Sequence, residues 1–265
     1  LKSKTMEIRL DGRKALITGG SKGLGLAMAT TFAESGADVA LLARTESEVS
    51  DAAEALAEAT GRLCRGYACD VANASEIDQT FALVRADFGE IDILVNNAGV
   101  AKGGAFESIT DEEWQYDFDL KLMAAVRLSR LVLPSMKANR WGRILNLLNT
   151  YAKTPEAGTA PTSVTRAAGM ALTKVLASEG APHNVLVNAL NIGRIESDQI
   201  RRQHERSGSN LSLEAFIEKA GEGLPMGRYG YAEECASLAC LLCSDAGGYV
   251  SGTAINVDGN LCAAV

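Results

Sequence analysis

Histidine is nearly absent from this chain. Its 265 residues hold two, His183 and His204, and neither stands in a metal-ligand spacing. No Cys/His zinc pattern can be written, and no metal is expected. A basic surplus is also lacking. Twenty-six Lys and Arg face 33 Asp and Glu, a net charge of −7, which argues against nucleic acid as the main partner. No apolar run approaches the roughly 18 residues that span a bilayer, so no membrane partner is expected. The stretch from Leu1 to Arg13 alternates charged and apolar residues and has no apolar core of a secretion signal. Met6 is read as a candidate start, and the expected location is cytoplasmic. Internal repeats, low-complexity stretches and inter-domain linkers are missing too. One domain over 1–265 is expected, long enough to bury a sizeable core.

Six cysteines are present: Cys64, Cys69, Cys235, Cys240, Cys243 and Cys262. They read as reduced thiols. Cys235, Cys240 and Cys243 have the C-x4-C-x2-C spacing of some iron–sulfur proteins. They fall in 232–244, however, which reads as one helix, whereas cluster ligands usually sit on loops. Buried structural cysteines are expected there.

The most informative stretch is Thr18-Gly19-Gly20-Ser21-Lys22-Gly23-Leu24-Gly25. An apolar run over 14–18 leads in, an Ala-rich helical stretch over 22–35 leads out, and a second apolar run over 38–43 follows. Strand, glycine turn and helix is the context that gives such a motif meaning. Glycines allow a tight turn and close approach to a diphosphate. The helix N-terminus offers it unpaired N–H groups and a positive dipole end.

Short apolar runs alternate with longer amphipathic ones along the rest of the chain, the pattern of an α/β fold with a parallel sheet covered by helices. Further helices are expected over 46–59, 75–87, 111–138 and 161–179, with Pro161 near a first turn. Further strands are expected near 65–69, 91–95, 143–148, 184–189 and 253–257. Residues 194–228 break the rhythm with a charged, polar stretch. An insertion after a C-terminal strand end lies where ligands bind in open α/β sheets. It reads as a substrate lid, with a solvated surface excursion as the alternative. His204 within it is expected to be exposed rather than catalytic.

The chain resembles the classical short-chain dehydrogenase/reductase family. The resemblance rests on Thr18-Gly19-x3-Gly23-x-Gly25, Cys69-Asp70-Val71, Asn96-Asn97-Ala98-Gly99, Val187-Asn188-Ala189 and Ser251-Gly252-x2-Ile255-Asn256-Val257-Asp258-Gly259, in order from about Leu10 to Gly259. It implies a Rossmann-type, doubly wound, seven-stranded parallel sheet with helices on both faces. It also implies a homo-oligomer, tetramer or dimer, with the helices at 111–138 and 161–180 between subunits. A nicotinamide cofactor is implied, cradled by Gly19, Ser21, Lys22, Gly23, Leu24 and Gly25. Asp70 and Val71 go to its adenine, and Asn97, Ala98 and Gly99 lie along it. Arg166, Ile192, Gly193 and Ile195 complete the set. Asn96 and Asn97 also suit strand-end hydrogen bonding.

Charge points to the cofactor. An NAD(H) site wants an acid at the end of strand two, and an NADP(H) site wants cations for the 2′-phosphate. Strand two ends Leu42-Ala43-Arg44 without an acid, and Lys22 lies in the glycine turn. NADP(H) is favoured, because Arg forks match phosphate oxygens.

The family's usual chemistry is altered. The resemblance puts Asn149 at the usual Ser, Thr162 at the Tyr, Arg166 at the Lys and Lys121 at the Asn. A Thr hydroxyl does not ionise near neutrality, and Arg stays charged, so neither replaces a Tyr/Lys acid–base pair. Asn149 can donate to an oxyanion. Lys121 and Arg166 would lie close together. Like charge and burial both lower a Lys pKa, so Lys121 is an acid/base candidate, or the two cations bind an anionic substrate. Tyr151 is a candidate phenol or a lid-packing aromatic, and Thr162 also suits a helix cap. Lys153 and Lys174 read as surface charges. Three functions stay open: an NADP(H)-dependent oxidoreductase for a small carbonyl or alcohol substrate, a non-redox lyase, dehydratase or isomerase, and a cofactor-binding protein without catalysis.

Overall fold

The computed structural model describes residues 8–196 and 198–265. Met6, read as a candidate start, lies outside them. Seven strands form one sheet: β1 (Lys14–Thr18), β2 (Asp38–Ala43), β3 (Cys64–Ala68), β4 (Ile93–Asn96), β5 (Gly142–Asn149), β6 (Val185–Ile192) and β7 (Ala254–Val257). Their spatial order is β3-β2-β1-β4-β5-β6-β7, and every pairing is parallel. This is the expected doubly wound sheet. The chain winds outward from β1 to β3, then returns to lay β4 on the other side of β1. A crevice opens at the C-terminal ends of β1 and β4, where the winding reverses.

Helices cover both faces, which is why the strands read as continuous apolar runs. On one side Ala15, Ile17, Val39 and Leu41 pack with Met28 and Phe32 of α1 (Gly23–Glu34) and with Cys235, Cys240 and Cys243 of α9 (Ala232–Cys243). On the other, Leu16, Ala40, Leu42 and Leu94 meet Ile77, Phe81 and Val84 of α3 (Ala74–Phe88) and Leu128 and Val132 of α5 (Ala124–Asn139). The side-chain period of two along a strand makes this division. All six cysteines are free, and only Cys262 is not fully buried. The remaining helices are α2 (Glu46–Thr60), α4 (Asp111–Phe118), α6 (Thr162–Gly180), α7 (Asp198–Ser207) and α8 (Leu213–Gly221).

Three boundaries differ from the sequence reading. The helical run from 111 is not uniform: a π-helical segment, Asp119–Met123, joins α4 to α5 with Lys121 at its middle. Strand β6 runs three residues past 189, because β7 continues to pair with it through Ile192. Helix α6 starts at Thr162 rather than 161, with Pro161 as its N-cap beside the first turn. No helix among the described residues is long and apolar enough to cross a membrane.

Candidate active site

Thr18 closes β1, and the turn after it is held open for a ligand. Gly19 and Gly23 have φ of +64° and +57°, a region that side chains rarely enter. A Cβ on Gly25 would run into the Gly19 carbonyl and stand 2.7 Å from Asn97 Nδ2. The Asn97 amide donates to the carbonyls of Thr18 (2.9 Å) and Gly19 (3.1 Å). The N–H groups of Asn97 and Ala98 donate to Thr18 Oγ1 at 3.0 and 2.9 Å. Asn97 therefore ties the end of β4 to the turn, the strand-end role expected of it. Asn96 is buried and donates to Asn146 Oδ1 at 2.9 Å. Ser21 and Leu24 are half-buried in the same turn.

Beside the turn, Lys22 and Arg44 follow the neighbouring strands β1 and β2 and are both exposed. Neither is idle. Lys22 Nζ pairs with Glu48 Oε2 at 3.2 Å, and Arg44 Nη1 lies 3.5 Å from Tyr116 Oη. The point thus has an acid nearby, contributed by the first turn of α2 rather than by the strand. Asp70 is half-buried and accepts from its own turn, Ala72 N, at 3.0 Å, while Val71 is buried in the core. Across the crevice, Ile192 ends β6 buried, and Gly193 sits so close to Asp258 that a Cβ would stand 2.6 Å from the aspartate's own Cβ. Ile195 bridges to Gly230 and closes the neck of the 194–228 insertion.

The catalytic candidates gather behind Gly99. A Cβ there would stand 2.5 Å from Arg166 Nη2 and 3.7 Å from Lys121 Cγ, so both cations flank one glycine. Lys121 is fully buried. Its Nζ donates to Asp117 Oδ1 and, at 2.6 Å, to Thr162 Oγ1. Burial, opposed by the Asp117 carboxylate and helped by the Arg166 charge, pushes Lys121 down to about 8. Thr162 Oγ1 also accepts the Lys102 N–H at 3.1 Å. With two donors on its oxygen, its own proton is left to point elsewhere. Thr162 is no cap: Pro161 holds that position, and no side-chain cap bond is made.

Arg166 Nη1 donates to the Leu147 carbonyl at 2.6 Å, and its Nε is buried without a partner. Burial pushes it down to about 10, which leaves it charged at working pH. Asn149 ends β5 with Oδ1 buried and unpartnered. The orphaned Arg166 Nε, on a side chain that presses on Gly99, and the orphaned Asn149 Oδ1 at the end of β5 fit a polar ligand such as a nicotinamide dinucleotide.

Three expectations change. Lys121 and Arg166 are not a free cation pair for an anionic substrate, because Asp117 offsets one of the charges. Tyr151 does not join the cluster; its hydroxyl accepts from Arg194 Nη2 at 3.4 Å, at the start of the insertion. His204 is half-buried rather than exposed: it packs on Phe216 with ring centroids 5.1 Å apart and contacts Leu211 O through Nε2 at 2.8 Å, joining α7 to α8. Lys174 is exposed, while Lys153 is half-buried. Asp117 and Thr165 escaped the sequence reading. The Asp117-x3-Lys121 spacing of a helical ion pair was the available signal.

Comparison with known proteins agrees with this geometry. The family model described as Enoyl-(Acyl carrier protein) reductase matches residues 19–261. The 3-oxoacyl-acyl-carrier-protein reductase of Aquifex aeolicus is 32% identical over 256 residues, covering 97% of this chain and 100% of its own. L-sorbose reductase from Gluconobacter frateurii, solved with NADPH and L-sorbose, superposes with a TM-score of 0.93 at 36% identity, covering 98% of this chain and 100% of its own. A short-chain oxidoreductase from Pseudomonas aeruginosa, NADPH-bound and described as containing an atypical catalytic center, superposes with a TM-score of 0.89 at 31% identity, covering 97% and 99%. Sheet order, glycine turn and these similarities together place the chain in the classical short-chain dehydrogenase/reductase family of oxidoreductases.

Proposed function

We propose that this protein is an NADP(H)-dependent oxidoreductase that interconverts a small carbonyl compound and its alcohol, with Lys121 as the acid and base of a non-standard site. The observation that carries the reading is the buried Lys121 ammonium seated 2.6 Å from Thr162 Oγ1.

Gly19, Ser21, Gly23, Leu24 and Gly25 would hold the diphosphate at the N-terminus of α1. Lys22 and Arg44 would take the 2′-phosphate; the Lys22–Glu48 pair is exposed, and such pairs contribute little. Asp70 and Val71 would border the adenine. Asn97, Ala98, Gly99, Arg166, Ile192, Gly193 and Ile195 would line the nicotinamide half. When bound, the reduced nicotinamide supplies a hydride to the carbonyl carbon. The chain manages the proton. Asn149 donates its amide to the carbonyl oxygen. Thr162 passes its hydroxyl proton to that oxygen and receives one from Lys121 Nζ, which is left as a neutral amine until solvent restores it. Alcohol oxidation runs the same relay backward. Arg166 cannot take part, because it does not give up a proton; it binds and orients.

The relatives' descriptions name two carbonyl classes, a ketose and a 3-oxoacyl thioester, and both are the first substrates to try. The 194–228 insertion serves as the substrate lid, a role supported by its neck at Ile195 and Gly230 beside the end of β6. Val164 and Val175, exposed on α6, support a homo-oligomer packed through that helix.

Titration with NADPH and NADH, followed by cofactor fluorescence, tests the cofactor assignment. Tighter binding of NADPH is expected, with the preference lost in a Lys22→Ala/Arg44→Ala double variant. Binding of neither nucleotide would remove the redox reading and leave non-redox chemistry around Lys121.

A further inference from the structure

The acid beside Lys121 has no part in the relay just described, and its placement is specific. Asp117 is 2% exposed. One carboxylate oxygen accepts from Lys121 Nζ; the other accepts the Thr165 hydroxyl at 2.7 Å. Thr165 is itself buried and stands on α6, three residues past Thr162. Asp117 belongs to α4, ahead of the π-helical segment that carries Lys121. One buried ammonium is therefore gripped from two elements, by a carboxylate on its own helical run and by a hydroxyl on α6.

The charges facing Lys121 are three. Arg166 faces it from α6 and Lys102 from the loop after β4, both disfavouring the ammonium; Asp117 alone favours it. Lys102 is exposed and pairs with Glu113 at 2.6 Å, so without the Asp117 carboxylate it is Lys121 and Arg166 that would face each other uncompensated, with Lys121 fully buried. A buried amine in such company loses its proton, and a neutral amine cannot donate one to a carbonyl oxygen.

Resting on the relay reading, we propose that Asp117 is a positioning residue that keeps Lys121 protonated at neutral pH and aims its ammonium at Thr162, so that the site favours carbonyl reduction. The Thr165 hydroxyl fixes the carboxylate for that task. A purely structural acid, filling a polar gap between α4 and α6, would affect folding without governing the Lys121 proton.

The test is the titration of Lys121 in the cofactor-free protein, read by NMR on Lys labelled at Cε and Nζ, with Lys121→Arg assigning the resonance. In Asp117→Asn the titration moves down by about one pH unit or more, and in Asp117→Glu it stays within about half a unit of the unaltered protein. An unmoved titration in a folded Asp117→Asn overturns the proposal. Should that variant not fold, the unaltered protein still decides. The Asp117 carboxylate carbon inflects at the Lys121 titration pH if the two are coupled, and a flat response there overturns the proposal. Turnover separates the two readings. If Lys121→Met keeps its activity, the relay fails, while Asp117's hold on the Lys121 proton is judged by the resonances alone.

Discussion

At the scale of single residues, the site turns on a lysine placed where ordinary lysines are costly. A buried ammonium needs compensation, and Lys121 receives it from one carboxylate and one hydroxyl. Replacing it with Met keeps the length and removes the proton. The expected outcome is a loss of turnover of about 100-fold or more, the usual weight of a general acid, with the NADPH dissociation constant changed less than about threefold. The pH dependence follows from the direction of the shift. Burial holds Lys121 at about 8, below its ordinary value. Below that pH the ammonium predominates and can donate, so carbonyl reduction is at its plateau. As pH rises through about 8 the donor is lost and reduction falls, whereas alcohol oxidation, which needs the neutral amine, rises. Initial rates in both directions across pH 6 to about 10 check both limbs. Two limbs that fall in the same direction would exclude Lys121 as the shared acid and base.

At the scale of elements, the glycine turn and the π-helical segment are the devices that place these residues. The turn was legible in the sequence because its chemistry is local: apolar run, glycines, helix, in that order. A Gly25→Ala variant is expected to weaken NADPH binding at least tenfold while leaving the far-UV circular dichroism unchanged, because its Cβ meets the Gly19 carbonyl and Asn97 rather than the core. The π-helical segment was not legible. Periodicity over 111–138 reads as one helix, and a single widened turn leaves no mark in hydropathy. Asp117 was missed for a related reason, since an acid in a polar helix start looks solvated until α6 is packed over it. Tyr151 had two readings, a phenol for the site or an aromatic packed on the insertion; the short helical turn at Thr150–Ala152 carries it, and its hydroxyl meets Arg194 at the start of the insertion, in keeping with the second.

At the scale of the whole molecule, alternation of strands and helices pointed to a parallel sheet and the family resemblance implied its seven-stranded, doubly wound form, while the strand order itself comes from the fold. That Lys121 and Arg166 meet was implied by the resemblance; that Asp117 and Thr165 join them depends on how α6 packs over α4, and only the assembled fold supplies that. The cysteines report on the integrity of the assembly. Burial pushes the Cys235 thiol up to about 12 and raises those of Cys64, Cys69, Cys240 and Cys243 as well. Iodoacetamide at pH 8 is therefore expected to modify Cys262 alone in the native protein and all six cysteines after unfolding, as read by peptide mass spectrometry. Rapid native labelling on α9 would show that the helix does not pack on the sheet as described.

The central claim is that the cofactor site serves a reaction whose proton comes from Lys121. The most direct measurement follows NADPH oxidation at neutral pH against ketoses and 3-oxoacyl thioesters, in the unaltered protein and in Lys121→Met. Each variant is first shown by fluorescence to bind NADPH. Turnover of one carbonyl class by the unaltered protein, lost by about 100-fold or more in the variant, is the expected result. Equal turnover by the two proteins would place the proton donor elsewhere and contradict the account.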